Sequence, residues 1–158
     1  METKYPKLNF NIVLVEPQIP NNTGNIGRTC VATHSKLHLI KPLGFDISDK
    51  RVKRSGLDYW PELELQVHER FEDWINSIED KSRVFFFSAR AEKSFYQTCL
   101  AEGDWLVFGK EAEGLSEELK GRFKNHLVKI PFPGKVRSFN LSNAVAMALG
   151  EGIRQLEN

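Results

Sequence analysis

Asn9-Phe10-Asn11-Ile12-Val13-Leu14-Val15-Glu16-Pro17-Gln18-Ile19-Pro20 is the stretch on which the reading of the fold turns. It alternates, then runs apolar from Ile12 to Val15, and stops at two prolines, which predicts a buried strand entering a loop. Ile26, Cys30 and Val31 then recur at helical spacing, which predicts a helix over Asn25–His34 with Asn22, Thr23 or Asn25 as its cap. Leu37-His38-Leu39-Ile40 reads as a second strand.

The same alternation continues along the chain. Asp49–Gly56 reads as a short basic helix and Val67 as part of a weak strand. Phe71, Trp74, Ile75 and Ile78 keep helical spacing. Val84–Phe87, Trp105–Phe108 and Leu127–Ile130 are apolar strands, and Ser116-Glu117-Glu118-Leu119 carries a helix-capping pattern. A last helix is predicted from Leu141 to Leu156. Strands alternating with helices imply an α/β domain with a mainly parallel sheet and a ligand site beyond the carboxyl ends of its strands.

Composition sets the bounds. The 158 residues are 41% apolar and 27% charged, with 11 Gly and 7 Pro, which excludes a disordered or collagen-like chain. One domain over residues 1–158 is expected. No apolar run approaches the ~18 residues of a membrane span, and the first ten residues carry charge and Pro6 instead of a signal-peptide core, so a cytoplasmic protein is expected. Cys30 and Cys99 are far apart and outside metal or redox spacing, so both are expected as reduced, packed thiols. His34, His38, His68 and His126 show no metal spacing and read as structural or exposed.

The formal charge of +1 hides a segregation. Residues 1–57 hold 9 Lys/Arg against 4 Asp/Glu, residues 58–119 hold 6 against 15, and residues 120–158 hold 7 against 2. If the two ends meet in the fold they build a basic surface suited to a phosphate backbone; otherwise the pattern is scattered, solvated charge.

Three segments leaving strands are rich in Gly, Asn and Pro. In Pro20–Arg28, Gly24 and Gly27 permit close backbone approach, the Asn amides donate and accept, and Arg28 is a fixed cation. A capped helix with a surface arginine is the plain alternative. In Phe108-Gly109-Lys110-Glu111-Ala112-Glu113-Gly114-Leu115 a glycine stands at each end. The segment is neither a Walker loop nor a dinucleotide fingerprint, and by itself it is equally an ordinary strand-to-helix turn. In Ile130–Asn143 a polar run, Arg137-Ser138-Phe139-Asn140-Leu141-Ser142-Asn143, enters a helix rich in alanine and glycine, whose small residues suit close packing within the subunit or across a dimer. Phe85, Phe86, Trp105 and Met147 read as core, not as base-stacking platforms.

Taken in order, these segments resemble the motifs of the SPOUT (SpoU–TrmD) class of knotted RNA methyltransferases. The resemblance spans about residues 10–156, through Glu16-Pro17-Gln18-Ile19-Pro20, Asn22-Thr23-Gly24-Asn25-Ile26, Lys50–Tyr59, Phe108-Gly109 and Arg137–Asn143. The pattern is most similar to the small, single-domain bacterial branch that methylates the 2′-oxygen of the tRNA wobble nucleotide, a cytidine or uridine. It implies a deep trefoil knot near the carboxyl end, which periodicity alone does not show. It implies S-adenosylmethionine as cofactor, held at Phe87, Gly109, Ile130, Ser138 and Asn140. It implies a homodimer, a tRNA partner, and a reaction that needs no metal.

In that resemblance Arg28 matches the motif-one arginine, with Asn25, Glu111, Asn140 and Asn143 supporting its geometry. Lys50, Arg51, Lys53 and Arg54, with Arg137, match the segment that meets RNA. An arginine is a poor base, so Arg28 is expected to hold a phosphate or a developing alkoxide. The sequence departs from the family pattern at Gly150, where close relatives carry a tyrosine, and at Ala112-Glu113 in motif two. Methylation of another tRNA or ribosomal RNA position, and a non-catalytic RNA- or cofactor-binding protein, are the alternatives these departures leave open.

Overall fold

The computed structural model describes residues 4–157, which form a six-stranded, wholly parallel sheet flanked by helices. The strands are β1 (Asn11–Val15), β2 (Lys36–Ile40), β3 (Leu65–His68), β4 (Val84–Phe87), β5 (Trp105–Phe108) and β6 (Leu127–Val128). Their order across the sheet is β3-β2-β1-β5-β4-β6, so the order reverses beside β1. The helices are α1 (Pro20–Ala32), α2 (Lys50–Gly56), α3 (Phe71–Asn76), α4 (Glu117–Arg122) and α5 (Leu141–Leu156), with a 3-10 helix at Leu57–Glu62.

Alternate residues of each strand serve opposite faces. Ile12, Leu14, Leu37, Leu39, Leu106 and Phe108 pack with Ile26 and Cys30 of α1 and with Val145, Ala148 and Leu149 of α5. Val13, Ile40, Phe86 and Val107 face the other way, toward Trp74 and Ile75 of α3 and Leu119 of α4. Burying one such side chain contributes roughly 1.5–3 kcal/mol. Both faces are covered, and that is why the inner strands read as unbroken apolar runs. The basic first and last thirds supply α1, α2 and α5, and α1 packs on both of the others. The acidic middle third supplies α3 on the opposite face.

Three expectations are corrected. The first helix begins at Pro20, five residues before the predicted start, so most of the expected loop is its opening turns; none of Asn22, Thr23 or Asn25 caps it. Proline at the first helical position needs no amide partner, and Asn22 and Thr23 are turned inward and buried. The last strand ends at Val128, two residues early, because β6 is a short edge on β4, extended by one isolated bridge between Ser94 and Lys129. Cys99 is exposed, unlike the packed Cys30, whose thiol pKa is raised by burial. Phe85 and Phe86 are buried, and Trp105 and Met147 pack against the core.

Candidate active site

A cavity of about 410 Å³ opens at the carboxyl ends of β4, β5 and β6. That volume lies within the roughly 300–1,000 Å³ usual for small-molecule sites. Its walls are the strand ends and the residues that follow them: Phe87 to Arg90 from the end of β4, Phe108 to Leu115 from the end of β5, and Ile130, Phe132 and Arg137 to Phe139 after β6.

The β5 wall folds back on itself. Lys110 and Gly114 exchange backbone hydrogen bonds at 3.2 and 2.9 Å. Gly109 is required there, because a Cβ would lie 2.1 Å from the carbonyl carbon of Gly114. The folded loop aims Glu111 at the start of α1, where its two carboxylate oxygens accept the amides of Gln18 (2.9 Å) and Ile19 (3.0 Å). Ile19 is the residue immediately before α1, and no side chain of its own segment caps the helix. One carboxylate thus belongs both to the cavity wall and to the start of the helix that carries Arg28.

A second tie joins the third wall to the same helix. Asn140 caps α5 by accepting from the amides of Ser142 and Asn143, and its own amide donates to Asn22 at 3.3 Å.

The expected residues fall into four places. Phe87, Gly109, Ile130 and Ser138 line the cavity, together with Glu111 and Arg137. Asn140 and Asn143 stand at the start of α5, outside the cavity lining. Asn25 and Arg28 lie one turn apart on the exposed side of α1. Lys50, Arg51, Lys53 and Arg54 are all exposed on α2 while Val52 turns inward. Arg51 is engaged by Asp49 at 2.9 Å, which holds the Asp49 carboxyl below its ordinary pKa; Lys50, Lys53 and Arg54 have no ion pair among the described residues.

Charge in the cavity is mixed. Lys110 stands 3.7 Å from Glu16 and 3.9 Å from Glu113, and Lys120 pairs with Glu117 at 2.7 Å. Arg90 and Arg137 have no carboxylate partner among the described residues. Sequence reasoning gave no role to Ser88 and Arg90 after β4, Lys110 after β5, or Lys120 on α4, all of which line the cavity. It also gave no role to Tyr59, the last residue of the Lys50–Tyr59 segment, whose ring centroid lies 5.0 Å from the Arg28 guanidinium carbon. Phe87, Phe108, Leu115, Ile130 and Phe139 give apolar walls, while Glu111, Glu117 and Arg137 give charges of both signs. This donor set fits a nucleoside bearing an amino-acid chain and a sulfonium, and among the described residues that line the cavity there is no glycine-rich cradle for phosphate. No group of side chains with metal-site geometry occurs among the described residues, and none of their helices is long and apolar enough to cross a membrane.

Residues 9–150 match the model of the SpoU rRNA Methylase family. A relative from Burkholderia cenocepacia, named tRNA (cytidine(34)-2'-O)-methyltransferase, is 44% identical over 92% of this chain and 95% of its own length. One of the same name from Methylovorus glucosotrophus is also 44% identical, over 92% and 95%. A solved structure described as "Structural insights into the 2-OH methylation of C/U34 on tRNA" superposes with a TM-score of 0.88 at 48% identity, covering 93% of this chain and 95% of that one. The SpoU methyltransferase AviRb from Streptomyces viridochromogenes, in complex with AdoMet, shares the fold at a TM-score of 0.82 and 21% identity, over 96% of this chain and 60% of that one. With the family model matched over most of its length and such relatives beside it, the chain belongs to the SpoU methylase family.

Proposed function

We propose that this chain, as one domain acting as a cytoplasmic homodimer, methylates the 2′-oxygen of a tRNA ribose, the wobble nucleotide being the target. The observation that carries the reading is the double attachment of Glu111, which makes the cavity wall and the Arg28 helix one unit. The names of the relatives from Burkholderia and Methylovorus support nucleotide 34 as the substrate position.

When bound, S-adenosylmethionine supplies an electrophilic methyl group on sulfur; Phe87, Gly109, Ile130 and Ser138 would hold it. The ribose oxygen would take that methyl carbon as the carbon's bond to sulfur breaks, and the hydroxyl proton would pass to water. A guanidinium is a poor proton acceptor, so the role of Arg28 is to hold a phosphate or the negative charge developing on the oxygen. Asn25, on the exposed side of α1, and Asn143, in the first turn of α5, support that geometry, the two helices being joined by the Asn140–Asn22 bond. Lys50, Lys53 and Arg54 meet the RNA backbone, aided by Arg137. The exposed stripe Asn143, Ala146 and Gly150 on α5 suits close approach of a second subunit. A knotted carboxyl end is carried over from the family resemblance; in this chain α5 packs beside Leu8 and Phe10.

The test incubates the protein with methyl-labelled S-adenosylmethionine and unmodified tRNA transcripts, then locates the labelled nucleotide. Label at the wobble ribose is expected; label elsewhere would keep the chemistry and discard that position. Arg28→Ala is expected to abolish turnover with cofactor affinity nearly unchanged, and equal loss of both would remove the assigned role. Lys53→Glu with Arg54→Glu should weaken tRNA binding and flatten its salt dependence.

A further inference from the structure

Arg28 lies on an exposed helix face, and among the described residues no carboxylate pairs with it. A long side chain in that position samples many rotamers, yet an arginine that meets a reacting oxygen must be held. Among the described residues its guanidinium lies over the ring of Tyr59, on the 3-10 helix that follows α2.

That neighbour is built in. Gly27, directly before Arg28, lets the 3-10 helix and the residue after it press onto α1; a Cβ at Gly27 would lie 3.3 Å from the Trp60 ring and 3.0 Å from Leu63. Trp60 and Leu63 are partly buried by this contact, while Tyr59 beside them stays 44% exposed. The contact therefore fixes the backbone that presents Tyr59 to Arg28. A ring partner differs from a carboxylate in kind. It attracts the cation through its π face and takes none of the guanidinium N–H groups in a bond to oxygen, so the donors remain available to a substrate.

We propose that Tyr59 is a positioning residue: it restricts the Arg28 guanidinium while leaving its donors directed at the RNA ribose or phosphate. The inference rests on the methyltransferase reading of the site.

The experiment compares Tyr59→Leu and Tyr59→Phe with the parent protein. At saturating cofactor and tRNA, Tyr59→Leu is expected to lower kcat about fivefold, with cofactor Kd within twofold and an unchanged Tm. Tyr59→Phe, which keeps the ring, should restore kcat. The upfield ring-current shift of the Arg28 side-chain protons, read by NMR without RNA, should persist in Tyr59→Phe and vanish in Tyr59→Leu. Loss of kcat in Tyr59→Phe equal to that in Tyr59→Leu would overturn the proposal, because the hydroxyl would then be the active part. A ring-current shift absent from the parent would overturn it too. A parent protein that shows the shift and methylates no RNA would overturn the functional reading and leave the contact intact.

Discussion

Helices α1 and α5 lie together on one face of the sheet and begin in opposite ways. α5 is capped by the side chain of Asn140, within its own segment. α1 has no local side-chain cap and is finished by Glu111, 92 and 93 residues further along the chain. Their compositions follow suit. The first eight residues of α5 include three Ala, one Leu and one Met and no Gly or Pro, whereas the first eight residues of α1 include one Pro, three Asn, one Thr and two Gly. Each glycine there costs about 1 kcal/mol of helix propensity relative to alanine. A local cap is available as soon as its helix forms. A remote carboxylate is available once the β5 loop has folded, so the start of α1 and the wall of the cavity form together.

The strongest way to break this contrast is Glu111→Ala. It removes two hydrogen bonds from amides to a charged acceptor, about 1.5–3 kcal/mol each. Turnover is expected to fall on the order of 100-fold. Hydrogen exchange should quicken in the first turns of α1 and stay unchanged in α5. Equal loosening of both helices would show that Glu111 supports the whole face and not one helix start.

The same contrast explains what could be read in the sequence. The bounds of α5 were legible because Asn140, Ser142 and Asn143 carry their cap locally. The apolar strands were legible because both faces of the sheet are covered. The start of α1 was not legible: Pro20, Asn21, Asn22 and Gly24 have the propensities of a loop, and the residue that overrides them is in another motif. Among site residues, Phe87, Gly109, Ile130 and Ser138 could be placed by motif and do line one cavity. Tyr59 could not, since its place beside Arg28 depends on a helix-to-helix contact that no local spacing records.

Acid offers a perturbation that acts on the sheet itself and therefore on both helices. His38 is buried on β2, with Nδ1 3.0 Å from Nε2 of His68 and Nε2 3.1 Å from Oδ1 of Asn11. Burial first, then the neighbouring His68 and Lys36, lower its pKa to about 4. A folded pKa below the unfolded value of about 6.5 means that the unfolded chain binds more protons between those limits. Stability is thus fully present above pH 6.5 and falls by about 3 kcal/mol as pH drops from about 6.5 to 4. Denaturant midpoints across this window should show that slope, and His38→Gln should remove most of it. Under acid α1 and α5 should lose exchange protection together; separate loss would mean that the sheet does not couple them.

The smallest effect separates the cap of α5 from its tie to α1. Asn140→Ala removes both, and loss of a helix cap costs about 1 kcal/mol. Asn140→Asp keeps an acceptor for the amides of Ser142 and Asn143, and the Asn22 amide can turn to donate to the new carboxylate. If the cap is what matters, Asn140→Asp holds the denaturant midpoint near that of the parent, and exchange at Ser142 and Asn143 stays slow. If Asn140→Asp loses as much as Asn140→Ala, the original bond to Asn22 carries the stability. In that event α5, like α1, begins on a contact made across the fold, and the distinction between the two helices reduces to the length of chain between the partners.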